Sequence, residues 1–230
     1  MSYATPAALL FDLDGTLVDT APDLAQATNA LRTHHGLAPL PYETIRAQVS
    51  NGGSALVELA LGWAPTHADH GEARRFLLET YGRNIAVHSR VFPGLTPLLE
   101  AWDRTQRPWG IVTNKPRAYA APLVEALGLT HGVLLAADDL PLKKPDPAPL
   151  LEAARRLGVA PVDCWYIGDH LRDMQAARAA GMHAIAVRYG YIGDEETPDT
   201  WPVDRWFETP ESLTQALWPS EDGMLAVPSD

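Results

Sequence analysis

The patterned part of the chain begins with an unbroken apolar run, Ala7 to Phe11, closed by Asp12 and a turn-forming Gly15. A short uncharged run that ends at a turn predicts a strand buried on both faces. From Asp19 to about His88 the apolar positions recur at helical spacing. Leu24, Ala27, Thr28 and Leu31 share one face, Leu56, Leu59 and Ala60 a second, and Phe76, Leu77 and Tyr81 a third. Pro22 suits a first helical turn, with Thr20 as its candidate cap. Pro39-Leu40-Pro41 and Gly62-Trp63-Ala64-Pro65 divide the segment. After Phe92-Pro93-Gly94 the rhythm changes. A helical stripe of Leu95, Leu98, Leu99 and Trp102 leads into strands expected at 109–113, 133–136, 164–167 and 184–187. Helices are expected at 116–127, around Leu150 to Leu157, at 171–180 and at 211–217.

Strands that alternate with helices predict a parallel sheet covered on both faces, an α/β architecture. The first strand belongs to that sheet but is separated from the others by about 70 helical residues, the length expected of an inserted unit. The expected division is therefore a core of residues 1–18 and 89–218, a helical insert of 19–88, and a loose Pro-containing tail of 219–230. The insert is expected to leave near Asp19-Thr20 and return between Arg90 and Gly94.

Charge narrows the partners. The 230 residues carry a formal net charge of -11, and such a chain lacks the basic balance that nucleic acid or an anionic membrane requires. An anionic substrate would need a locally positive pocket. The single cysteine, Cys164, precedes Trp165-Tyr166-Ile167 and reads as a buried small hydrophobe. Ala7 to Phe11 is too short for a signal-peptide core and no run approaches a membrane span, so the expected setting is cytoplasmic.

The carboxyl ends of strands in an open parallel sheet form the ligand crevice. Here they bring Asp12-Leu13-Asp14, Thr113-Asn114-Lys115 and Gly168-Asp169, with Lys143-Lys144-Pro145 just before a helix. Clustered carboxylates at a strand end suit a hard divalent cation such as Mg2+, and also a carboxylate nucleophile beside an acid/base. Each part has work in phosphoryl transfer, where positioning and charge stabilisation dominate. Asp12 is the candidate nucleophile and Asp14 the candidate acid/base. Mg2+ would sit between Asp12, Asp169 and a phosphate oxygen. Gly15, the Thr113 hydroxyl and backbone near Asn114 would hold phosphoryl oxygens, and Lys144 would neutralise them and orient Asp12.

These motifs, in this order, resemble the haloacid dehalogenase superfamily and its phosphoglycolate-phosphatase-like branch. Asp12 to Thr20 looks like its first motif, Thr113-Asn114-Lys115 its second, Lys144-Pro145 its third, and Gly168-Asp169 with Asp173 its fourth. The resemblance implies a Rossmann-like core with an inserted helical cap, Mg2+-dependent phosphomonoester hydrolysis through Asp12 and Asp14, and a metal held by Asp12, Asp14, Asp169 and Asp173. His170-Leu171-Arg172 departs from the family's usual small polar residue after Gly-Asp. His170 is expected to be exposed, or else to touch metal-bound water.

The insert should supply the leaving-group pocket. Ser50, Asn51 and Gly52 precede a helix and can offer backbone N–H groups to an anion. Arg46, Arg83, His88 and Arg90 are further candidate cations. Ala86-Val87-His88-Ser89 and Ala186-Val187-Arg188-Tyr189-Gly190-Tyr191-Ile192 resemble N-acetylmuramic acid 6-phosphate phosphatases of the same branch, which implies that Arg188 and Tyr189, just past a strand end, either face the substrate or are structural. Two small phosphorylated metabolites stand open, 2-phosphoglycolate and N-acetylmuramic acid 6-phosphate. A phosphosugar mutase shares every core residue and is the alternative enzyme. A receiver-like phospho-switch fits poorly, because its phosphorylated Asp lies on a later strand and it has no use for the insert. Oligomeric state is not encoded in these patterns.

Overall fold

The computed structural model describes residues 5–193 and 196–218. Six parallel strands form one sheet, with β1 (Ala8–Phe11) at its centre. On one side lie β4 (Trp109–Val112) and then β5 (Val133–Leu135), and on the other β6 (Cys164–Gly168), β7 (His183–Val187) and β8 (Arg205–Phe207). Leu9 is level with Trp109 on one neighbour and with Trp165 on the other, so the three central strands end together. The strand pleat then sorts side chains by parity. Leu9, Phe11, Ile111, Ile167 and Ile185 pack in one cluster, and Ala8, Leu10, Val112, Tyr166 and Ala184 in another across the sheet.

Between β1 and the rest of the sheet come four helices: α1 (Ala21–His34), α2 (Tyr42–Arg46), α3 (Gly52–Leu61) and α4 (His70–Arg83). They pack mainly on one another, and Leu24, Leu31, Leu56 and Leu77 join the first core cluster. A ribbon too short for any periodicity to reveal frames them. In it β2 (Val18–Asp19) runs antiparallel to β3 (Arg90–Val91), with Asp19 opposite Arg90. Asp19, expected to begin helical sequence, is therefore extended. The remaining helices are α5 (Thr96–Arg104), α6 (Arg117–Ala126), α7 (Ala148–Leu157), α8 (Leu171–Ala179) and α9 (Pro210–Leu217).

Strand β8 was not expected, since Arg205-Trp206-Phe207 has neither an apolar run nor clean alternation. It is the sheet's edge strand beside β7, where one flank faces solvent and charged residues are tolerated. The expected tail, 219–230, lies outside the described residues. Among the described residues no helix is long and apolar enough to cross a membrane.

Candidate active site

The backbone after β1 sets the geometry. Gly15 has φ +82°, a left-handed conformation costly for residues with a Cβ, and a Cβ there would lie 2.2 Å from Asp169 Oδ2. A Cβ on Gly190 would sit 2.2 Å from the Asp169 Cβ. Two glycines thus let main chain close around one carboxylate. Asp169 Oδ2 accepts hydrogen bonds from Tyr191 N (2.8 Å) and Ser50 Oγ (3.2 Å), and Oδ1 from Thr16 Oγ1 (3.3 Å).

Asp12, Asp169 and Asp173 converge. One oxygen of each lies within 4.8 Å of the others, and all three are buried. Lys144, 2 % exposed, bridges two of them, its Nζ 2.8 Å from Asp12 Oδ1 and 2.8 Å from Asp173 Oδ1. Nζ also donates to the Tyr166 hydroxyl (2.7 Å), which donates to Val112 O (2.8 Å). Burial opposes the Lys144 charge, but Asp12 and Asp173 outweigh it and hold its pKa above the ordinary lysine value. One buried lysine against three carboxylates leaves an excess of negative charge. Burial pushes Asp12 up to about 6 against the pull of Lys144, and burial together with Asp12 and Asp173 pushes Asp169 up to about 7. Buried oxygen donors with surplus negative charge are what a hard divalent cation requires.

Asp14 takes a different position. Its Oδ1 accepts from Lys115 Nζ (2.8 Å) and Thr20 Oγ1 (2.5 Å), and it is absent from the converging triad. Lys115 also lies over the Tyr81 ring at 4.5 Å from its centroid. Burial acts against the Lys115 charge, yet Asp14 and Tyr81 leave its pKa raised. Thr113, nearly buried, receives Lys115 N at its hydroxyl (3.1 Å), and Asn114 Nδ2 donates to Lys144 O (2.8 Å).

A cavity of about 350 Å³ opens over these groups. Asp12, Asp14, Thr113 and Asn114 form its floor from the sheet, and Ser50, Asn51 and Gly52 line it from the helical segment. Of the buried polar atoms without a hydrogen-bond partner, Asn114 Oδ1, Tyr81 Oη and Arg172 Nε belong to residues of its lining. Unpartnered buried polar atoms are costly and point to an absent ligand or solvent.

Two expectations do not fit this geometry. Arg188 is not part of the lining. It lies over the Trp206 ring at 4.3 Å and pairs with Asp199 (2.9 Å) and Glu208 (3.3 Å), because its strand neighbours β8 at the sheet edge. His170 is not exposed. It caps α8, its Nδ1 accepting from Arg172 N (3.3 Å), while Asp173 Oδ2 accepts from His170 N (3.1 Å). Burial and Arg172 lower its pKa to about 4, so the ring is neutral and free to accept. Of the insert's candidate cations, Arg46, Arg83, His88 and Arg90 are not among the lining residues. Arg90 binds the carbonyls of Ala86, Val87 and Ser89, and Arg46 donates to Tyr189 O (2.8 Å).

Sequence reasoning quoted Lys115, Lys143 and Arg172 within motifs without giving them a role and did not raise Arg74, yet all four line the cavity. Lys115 stood in the second motif, but its pairing with Asp14 was not foreseen. A signal existed on α4, where Arg74, Leu78 and Tyr81 fall at helical i, i+4 and i+7 positions.

The sequence pattern of the haloacid dehalogenase-like hydrolases matches residues 6–181. The chain is 41% identical over 212 residues to the N-acetylmuramic acid 6-phosphate phosphatase of Pseudomonas aeruginosa, covering 91% of this chain and 94% of that protein. It is 41% identical over 220 residues to a phosphoglycolate phosphatase of Xylella fastidiosa, covering 94% and 96%. A solved structure from Haemophilus somnus, described as a predicted phosphoglycolate phosphatase, superposes with a TM-score of 0.79 at 27% identity, covering 92% of this chain and 98% of that one. The carboxylate triad, drawn from the ends of β1 and β6 and the first turn of α8, and the match across most of the chain agree: the chain belongs to the haloacid dehalogenase-like hydrolases.

Proposed function

We propose that the protein is a phosphomonoester phosphatase acting on a small phosphorylated metabolite, with 2-phosphoglycolate and N-acetylmuramic acid 6-phosphate as the substrates its relatives' names suggest. The observation that carries this reading is the convergence of Asp12, Asp169 and Asp173 around Lys144 beneath a cavity shared with Asp14 and Thr113. Asp12, Asp169 and Asp173 would hold Mg2+, whose charge would offset the repulsion between an anionic nucleophile and an anionic phosphate.

The residues divide the work by position. Lys144 fixes one Asp12 oxygen, leaving the other to attack phosphorus in line with the departing alkoxide. Asp14, a separate carboxylate on the same loop, supplies the proton that the alkoxide takes as the P–O bond breaks. The product of this step is an acyl phosphate on Asp12. Water then attacks phosphorus, Asp14 takes back a proton, and phosphate leaves with Asp12 restored. Thr113 and the backbone N–H groups after it face the phosphoryl oxygens. The helices between Asp19 and His88 act as a cap, placing Ser50, Asn51 and Gly52 over the reacting group. Tight binding of a transition state by fixed groups is where such sites gain rate.

Asp12→Asn removes the nucleophile while keeping the side chain's size. Turnover of a generic aryl phosphate should fall to background with the circular dichroism spectrum and melting profile retained. Wild-type activity should vanish in EDTA and return with Mg2+. Full activity in Asp12→Asn, or indifference to chelation, would refute the corresponding half of the proposal.

A further inference from the structure

The cavity is larger and differently charged from what a phosphate alone requires. We infer that its far end, at Arg74 on α4, is a subsite for a second anionic group on the leaving group, a carboxylate or a second phosphate. This rests on the phosphatase reading above and specifies its substrate class.

Arg74, Leu78 and Tyr81 occupy one stripe of α4 and all line the cavity. The stripe has a direction. Tyr81 is at the reacting end, since Lys115 lies 4.5 Å from its ring centroid and 2.8 Å from Asp14 Oδ1. Arg74 is seven residues earlier, about 10 Å along the helix axis at 1.5 Å per residue. The lining also includes carbon walls: Leu24, Leu56, Leu78 and the Tyr81–Tyr119 ring pair, with centroids 5.9 Å apart. The Tyr81 hydroxyl is buried beside Lys115 and keeps hydrogen-bonding capacity for a polar substituent on the leaving group.

The charges of the lining separate in the same way. Lys115 pairs with Asp14, and Arg172 donates to Ser50 O at 2.5 Å. Arg74 makes no hydrogen bond or ion pair among the described residues, and a Cβ on Gly53 would stand 3.7 Å from its Nε, at the start of α3. Arg74 is exposed where the cavity opens to solvent, and with no protein partner its guanidinium is free to meet an anion entering there. The two-carbon 2-phosphoglycolate holds its carboxylate three bonds from phosphorus and cannot reach both ends. A sugar phosphate that bears an acid or a second phosphate on the opposite side of its ring can.

Matched substrate pairs test this. N-acetylmuramic acid 6-phosphate and N-acetylglucosamine 6-phosphate differ by the ether-linked acid, and fructose 1,6-bisphosphate and fructose 6-phosphate by the second phosphate. Wild type should prefer the member of at least one pair that carries the additional acid group. Arg74→Ala should cut that preference in kcat/KM about tenfold or more, chiefly through KM, and Arg74→Lys should restore part of it. The pair that responds identifies the second group. Retained hydrolysis with an unmoved preference would overturn the subsite and leave the phosphatase reading standing. So would a preference that collapses only in Lys143→Ala, the other cation of the lining with neither a hydrogen bond nor an ion pair among the described residues. If wild type hydrolyses no phosphomonoester at all, both fall.

Discussion

Lys144 sets the electrostatics of the site from a position almost closed to solvent. Its ammonium group meets two carboxylates and a tyrosine hydroxyl, so all three of its donors are used. Removing one partner of a buried ion pair is expensive because the other charge stays behind. Lys144→Met should therefore lower stability by about 3–5 kcal/mol in denaturant titrations of the metal-free protein. Adding Asp173→Asn should return part of that loss, since it removes a charge the lysine had neutralised. A single-variant cost below about 1 kcal/mol would mean that the carboxylates simply protonate in its absence. Cys164 illustrates the opposite extreme of burial. Burial, helped by Asp163, pushes its thiol up to about 11, so at neutral pH the thiolate is scarce. Native protein should leave Cys164 unmodified by a disulfide reagent over the time in which unfolded protein reacts fully. Rapid native labelling would contradict the packing around β6.

At the scale of elements, helix α1 begins on a contact that no local rule predicts. Thr20 occupies its cap position but makes no side-chain cap, because its hydroxyl is directed to Asp14. The first N–H groups are instead received by a residue 170 positions away. The Tyr191 hydroxyl accepts from Thr20 N (2.7 Å) and Ala21 N (2.9 Å) and donates to Asp19 Oδ1 (2.6 Å). Tyr191→Phe keeps the ring and strands these donors, at a cost of about 1–3 kcal/mol. Amide exchange in the first turn of α1 should accelerate more than in α5; uniform acceleration would indicate only global destabilisation. The same contact explains what the sequence could disclose. Strands β1, β4, β6 and β7 were legible because burial on both faces writes them as continuous apolar runs. The two-residue β2 and β3 and the edge strand β8 leave no such signature. Asp12, Thr113, Lys144 and Asp169 were legible because each stands where a strand or loop ends in an ordered motif. Arg188 also follows a strand end, but β7 lies two strands from β1 and its side chain turns to the edge. The position of Tyr191 and the pairing of Lys115 with Asp14 depend on chain closure over long separations, which periodicity cannot encode.

For the whole molecule, the surplus of buried carboxylate couples stability, pH and cation. Asp12 is raised to about 6 and Asp169 to about 7, both first by burial, from an ordinary value of 3.8. The folded chain therefore binds more protons than the unfolded chain across the interval between 3.8 and these values. A raised carboxyl pKa contributes stability that is complete below 3.8 and disappears as pH climbs through 6 to 7. Metal-free protein should thus lose stability between pH 5 and pH 8, by an amount on the order of a few kcal/mol. A divalent cation binds the ionised form and competes with those protons, so its stabilising effect should run the other way. At a concentration one hundred times its dissociation constant, Mg2+ should add about 2.7 kcal/mol. Because the apparent constant tightens as protons leave, a fixed Mg2+ concentration should raise the melting temperature more at pH 8 than at pH 5.5. Asp169→Asn removes one titrating group and one oxygen donor together. It should flatten the metal-free pH profile and suppress the Mg2+ response in the same calorimetric series. A wild-type profile that rises with pH in the absence of metal, or a Mg2+ shift that survives Asp169→Asn unchanged, would mean that the charge stored beneath the cavity is not what the cation relieves.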